Sequence, residues 1–387
     1  MNKEDKLNLI NDIFCPTAPI ERPELFCGRE AQIERILYAL QERGQHIVMY
    51  GPRGVGKTSL ANIVALTFKG INTIKITCNR TDNFRTLWEK ILSRITLVTP
   101  SKKRVGFNSV AEDEYVTFSL PEGNIDSTTI EQMFSEIEMG FLFIFDEFDS
   151  IVDSETRTKM ADTMKMLSDN VQNITIMMVG IASSIKELMG DHPSLERCIS
   201  QVEMPLMSEK EITAIINNIK LIGLIVEPEV VKKIVEESSG YPHYVHLLCK
   251  FCARKAVTSG AKVVLRKHLD WAVEQSIDNS NSSLKQSYQK AIAGNKNQFA
   301  NLLLACALAP TDEYNSFAVD TVFDMYNLLS VKKDVKIESV SNNLTTLCKE
   351  ERGEVLQKWG KLRDKRYRFK NPLMKAFIKL STHETDK

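Results

Sequence analysis

The sequence predicts an α/β fold built on a parallel sheet, followed by an all-helical region and a smaller C-terminal domain. Three observations predict it. Gly51-Pro52-Arg53-Gly54-Val55-Gly56-Lys57-Thr58 has the spacing G-x-x-x-x-G-K-[ST] and stands between an apolar run, His46–Tyr50, and a helical pattern, Ser59–Leu66. Phe141-Leu142-Phe143-Ile144-Phe145 is apolar without a break and ends in Asp146-Glu147, as a strand buried on both faces does. Residues 208 to 276 show only helical periods.

Composition sets the frame. The chain has 387 residues, 43% of them hydrophobic and 26% charged, with a formal net charge of zero. That length and balance suit two or three globular domains, and nothing global favours nucleic acid or an acidic partner. No stretch approaches the ~20 apolar residues that span a bilayer. The N-terminus, Met1-Asn2-Lys3-Glu4-Asp5-Lys6, runs into charges rather than an apolar signal core, so a cytoplasmic protein with no membrane partner is expected. Eight cysteines, at 15, 27, 78, 198, 249, 252, 306 and 348, are scattered mostly in apolar runs. They read as reduced core residues, and Cys249 and Cys252 as helix packing rather than a metal or redox pair, since no second pair stands at zinc spacing.

Taken in order, residues 1–25 read as an arm, because Pro16, Pro19 and Pro23 interrupt regular structure. Leu25-Phe26-Cys27-Gly28-Arg29-Glu30 then leads into an amphipathic helix with Ile33, Ile36, Leu37 and Leu40 on one face. A segment so close to the glycine-rich loop can fold back over a bound base; Arg29 is a candidate base contact, an anchor for the arm, or a surface residue. Residues 71–77 alternate as a strand and 87–92 continue as a helix, repeating the unit of a parallel sheet. Residues 98–127 lose periodicity and read as a loop-rich insertion, with a hairpin near Tyr115–Phe118. After the strand 141–145 come a helix over 154–169, a strand over 174–181 ending in Ala182-Ser183-Ser184, and a last short strand around Val202.

The spacing carries a chemistry. Glycines at 51, 54 and 56 allow positive φ, so that loop N–H groups and a helix N-terminus surround an anionic phosphate chain. Gly51 to Thr58, with Ser59, are therefore candidate nucleotide contacts. Lys57 would reach the β- and γ-phosphates, and the Thr58 hydroxyl and Asp146 would hold Mg²⁺. Glu147 suits polarisation of the attacking water, and alternation along a strand would separate it from Asp146. Ser183 would orient that water or, equally, cap the next helix.

These residues resemble the AAA+ ATPases, specifically the branch of origin-recognition and initiator ATPases and the related STAND signalling ATPases. The likeness runs from about 14 to 380: Phe26-Cys27-Gly28-Arg29 for a G-R-[DE] box, the loop 51–58, Asp146-Glu147, Ser183 for sensor one, Arg197 for an arginine finger and Gly240-Tyr241-Pro242-His243 for sensor two. The resemblance implies ATP, Mg²⁺ and hydrolysis, on a three-layer P-loop core over 26–206, an all-α lid over 207–283 and a winged helix over 284–387. It makes Arg197 a catalytic residue that reaches a neighbour's γ-phosphate, hence a homo-oligomer or an ATPase partner in trans, and it adds Pro242 and His243 to the nucleotide site. An arginine is expected where His243 stands, which leaves a slow nucleotide switch open. Residues 351–380 hold ten bases against three acids. Their tip, Lys361, Arg363, Lys365 and Arg366, implies duplex DNA as a partner; a winged helix serving an effector protein is the alternative.

Overall fold

Five apolar runs pair as one parallel sheet. A computed structural model describes residues 1–68, 70–105, 108–182, 188, 195, 197–279, 281–312, 315–329, 335–359, 365–371, 374–375 and 377–379. Backbone contacts divide the chain into two compact units, 19–204 and 1–18 together with 205–387.

Helix α1 (Lys3–Ile13) belongs to the second unit. The first unit contains α2 (Glu30–Gln41), β1 (His46–Gly51), α3 (Lys57–Thr67), β2 (Asn72–Thr77), α4 (Phe84–Leu92), β3 (Thr96–Val105), β4 (Asn108–Thr117), α5 (Ser127–Ser135), β5 (Phe141–Asp146), α6 (Ser154–Asn170), β6 (Ile174–Ile181) and β7 (Ile199–Glu203). Strand order is β2-β5-β6-β1-β7, with every pairing parallel. The chain thus places β1 between β6 and β7 and then crosses to the far edge, which opens a crevice at the carboxyl ends of the strands.

Alternation decides the two faces. Phe141, Phe143 and Phe145 join Ile74, Ile76, Ile176 and Met178 in a cluster closed by α4, α5 and α6. At its centre the Trp88 ring meets Phe84, Phe134, Phe143 and Phe145 at centroid distances of 5.8 to 6.4 Å. The intervening residues, Leu142, Ile144 and Asp146, project by the strand's period of two toward α3 on the opposite face. The result is a three-layer α/β core.

One buried polar side chain ties the layers together. His46 is fully buried; its Nε2–H donates to the Met164 carbonyl at 2.6 Å, and its Nδ1 accepts from the Ile176 N–H at 3.0 Å. Burial lowers its pKa to about 4, so the ring is neutral at physiological pH.

Three expectations change. The arm is not irregular throughout: Lys3–Ile13 is a helix, and Asn2 and Asp5 cap it reciprocally. Ile10, Ile13 and Phe14 are buried, the Phe14 ring lies edge-on to His246 at 5.9 Å, and the helix packs on helix Pro242–Thr258. Apolar burial on a capped helix outweighs the prolines, which begin only after it ends. The insertion is a long antiparallel hairpin of β3 and β4, registered from Thr96 opposite Thr117 to Val105 opposite Asn108. The region after 208 is not wholly helical either, because Ile225-Val226 pairs with Val263-Val264 in a short parallel bridge. Gly223 and Gly260, at φ 76° and 72°, end the preceding helical turns and release these β-branched pairs.

The second unit continues through helices 266–279, 281–292 and 296–308 into a small three-stranded sheet of Phe317–Ala318, Arg366–Phe369 and Leu356–Trp359, in that order and antiparallel. Cys249 and Cys252 are fully buried in helix Pro242–Thr258, and burial raises both thiols.

Candidate functional site: a glycine loop facing two carboxylates

The loop between β1 and α3 has the backbone its glycines permit. Gly51, Gly54 and Gly56 take φ of 155°, 84° and 95°. At Gly51 the reason is also contact, since a Cβ there would stand 2.3 Å from the Met204 carbonyl oxygen. Gly56 is the left-handed N-cap of α3. Ser59, one turn into that helix, accepts a hydrogen bond from the Ile20 N–H at 3.2 Å.

Lys57 is folded into the loop: its ammonium donates to the Gly51 and Pro52 carbonyls at 2.9 and 2.8 Å. Burial lowers its pKa to about 8, against the opposing pull of Asp149 and Asp146. A partly desolvated ammonium hydrogen-bonded to neutral carbonyls gains from an incoming anion. Arg29 is also buried, takes φ 70°, and donates from its guanidinium to the Val55 carbonyl at 3.1 Å. It braces the loop from behind.

Asp146 ends β5 opposite Thr77 and is nearly fully buried. Its Oδ1 accepts the Glu147 N–H at 3.0 Å and lies 3.4 Å from the Thr58 hydroxyl, a long contact. Its Oδ2 meets the Lys75 ammonium at 2.9 Å. The separation of Asp146 from Glu147 has a different origin from strand alternation. Glu147 leaves the strand in the left-handed region at φ 56° and is exposed, so the backbone turn itself aims the two carboxylates apart. Asp149, three residues after Asp146, accepts the Ile181 N–H at 2.8 Å and ties this turn to the end of β6.

A hydroxyl and a carboxylate so close together form a hard-oxygen donor set of the kind Mg²⁺ takes, and the adjoining glycine loop offers N–H groups to phosphates. The residues present therefore fit a nucleotide with its metal. Ser183 lies outside the described residues, as do Lys361 and Arg363. Arg197 stands at the turn before β7, largely exposed, with its guanidinium 2.7 Å from Asp169. Pro242 and His243 open helix Pro242–Thr258 in the second unit, where the His243 Nδ1–H donates to the Pro16 carbonyl at 2.5 Å. Of the basic residues near the C-terminus, Arg366 pairs with Asp312 at 2.9 Å, Lys370 pairs with Glu354 and Arg368 is buried.

Sequence reasoning did not anticipate Lys75 or Asp149. The last had a signal, the short D-E-x-D run, whereas Lys75 looked like an ordinary polar position on an alternating strand.

A family model described as novel STAND NTPase 1 matches residues 20–294, more than half of the chain. The chain belongs to that family. Among solved structures, the Walker-type ATPase of Pyrococcus abyssi superposes with a TM-score of 0.53 at 14% identity, covering 95% of this chain and 99% of that one. This likeness shows the P-loop AAA+ fold. The ORC1 protein of Aeropyrum pernix in complex with DNA gives a TM-score of 0.47 at 14% identity over 95% and 94% of the two chains. RuvB of Thermotoga maritima gives 0.44 at 14% over 94% and 97%. No curated protein matches the sequence. Among the described residues of this STAND-family chain, no helix is long and apolar enough to cross a membrane.

Proposed function

We propose that this STAND-family NTPase binds ATP with Mg²⁺ in the loop 51–58, hydrolyses it slowly, and passes its nucleotide state to a partner effector protein or a further copy of itself. The observation that carries the reading is the convergence of Lys57, Thr58, Asp146 and Glu147 at the carboxyl ends of β1 and β5. Lys57 exchanges the Gly51 and Pro52 carbonyls for the β- and γ-phosphates, and the loop N–H groups share that charge. Thr58 and Asp146 hold the Mg²⁺, which neutralises charge on the phosphate oxygens when bound. Glu147, exposed and turned away from Asp146, polarises the attacking water. Arg197 is proposed to act on a neighbour's γ-phosphate, Arg29 to brace the nucleotide loop, and Ser183, Pro242 and His243 to sense the nucleotide.

The C-terminal elements run helix, strand, helix, helix, strand, strand, which we read as a winged helix. The internal engagement of Arg366, Arg368 and Lys370 favours a protein partner over duplex DNA for it.

A fluorescent ATP analogue and a phosphate-release assay test the proposal together. Lys57→Ala should abolish binding and with it the nucleotide-dependent rise in melting temperature. Glu147→Gln should keep affinity within about twofold while turnover falls by ~10²–10⁴. Retained binding by Lys57→Ala, or unchanged hydrolysis by Glu147→Gln, would sink the site as drawn. Turnover stimulated by duplex DNA and quenched by salt would replace the protein partner with DNA.

A further inference from the structure

Lys75 occupies an unusual place. Its neighbours on β2, Ile74 and Ile76, are packed in the aromatic cluster, so the alternation turns Lys75 to the other face, under α3. There its ammonium is 2.9 Å from Asp146 Oδ2 and donates to Asn62 Oδ1 at 2.5 Å, with only 19% of its side chain exposed and 3% of Asp146's. Asn62 stands one turn along α3 from Thr58. Lysine, aspartate, threonine and asparagine thus form one connected group around the carboxylate that is to hold the metal.

We propose that Lys75 is a tethered counter-cation for Asp146: it occupies Oδ2 before the divalent ion arrives and competes with that ion for the carboxylate. The inference rests on the nucleotide–magnesium reading of the site and adds a determinant of its metal affinity. A buried carboxylate needs a positive neighbour, and here one is built into the adjacent strand. A divalent ion between Thr58 and Asp146 stands beside the ammonium as a like charge, so Lys75 must yield Oδ2 and fall back on Asn62, which already holds it. Metal binding is weakened by the cost of that displacement. Lys75 touches neither the phosphate loop nor Glu147 in the contacts seen here, and acts as a positioning residue through Asp146.

The test is Mn²⁺ binding in the presence of ADP, read by loss of the free-ion paramagnetic resonance signal, so that no turnover enters. Lys75→Met keeps the apolar stem and removes the charge, and should lower the half-saturating Mn²⁺ concentration by about tenfold. Lys75→Arg should restore the wild-type value. Asn62→Ala, a milder change on a helix, removes the fallback position and should raise the half-saturating concentration severalfold. A Mn²⁺ affinity in Lys75→Met that is unchanged or weaker, with ADP still bound, overturns the role of Lys75 and leaves the nucleotide site standing. Failure of the wild-type chain to bind ADP at all removes the nucleotide reading and this inference with it.

Discussion

Glu147 shows what a single residue can carry. It is not a glycine, yet it stands at φ 56°, a conformation that costs an L-residue roughly 1–2 kcal/mol. Glu147→Gly should therefore raise stability by about 1 kcal/mol while abolishing hydrolysis, a gain that is visible as a higher melting temperature in the nucleotide-free protein. A lower melting temperature would show that the strain is repaid by contacts of the side chain. The same residue marks how far sequence reaches. That Asp146-Glu147 ends a buried strand was legible from the uninterrupted run Phe141–Phe145, because a strand covered on both faces admits no polar position. The left-handed turn that parts the two acids was not, since nothing in the letters D-E distinguishes it from continued strand. Lys75 was hidden for a related reason: alternation places it off the aromatic face, but which helix covers the other face is a tertiary fact.

At the scale of elements, the strands were readable and the docked helix was not. Runs of β-branched and aromatic residues announced β1, β2, β5 and β6 nearly to the residue. In contrast α1 carried a proper cap in Asn2 and Asp5 but was eclipsed by the prolines that follow it. Because Phe14 is fully buried beside His246, Phe14→Ala should cost roughly 3 kcal/mol and loosen α1 from helix Pro242–Thr258. Hydrogen exchange should then speed up in both helices; protection unchanged from wild type would mean that the contact is dispensable. The hairpin β3–β4 was expected near Tyr115–Phe118 but not at its full length, because its alternation is broken by charges and a proline, leaving register to backbone pairing that no pattern of side chains specifies.

For the molecule as a whole, each unit holds a buried histidine that makes its stability depend on pH. His46 in one and His246 in the other both have pKa values lowered to about 4, in each case chiefly by burial. The unfolded chain takes up these protons near pH 6.5 while the folded one refuses them until about 4. Their contribution is thus complete above pH 6.5 and is lost as pH falls toward 4, about 2 kcal/mol for each histidine at pH 5. Calorimetric melts should show both units weakening between pH 7 and 5, and a flat melting temperature over that range would refute the assignment. The chain also passes between its units twice, at 18/19 and at 204/205. The core of the second unit is therefore gathered from both sides of residues 19–204, with Ile10, Ile13 and Phe14 coming from before them and helix Pro242–Thr258 from after. On the ribosome α1 emerges well before the helix that seats it, so this core can close only once residue 258 has been made.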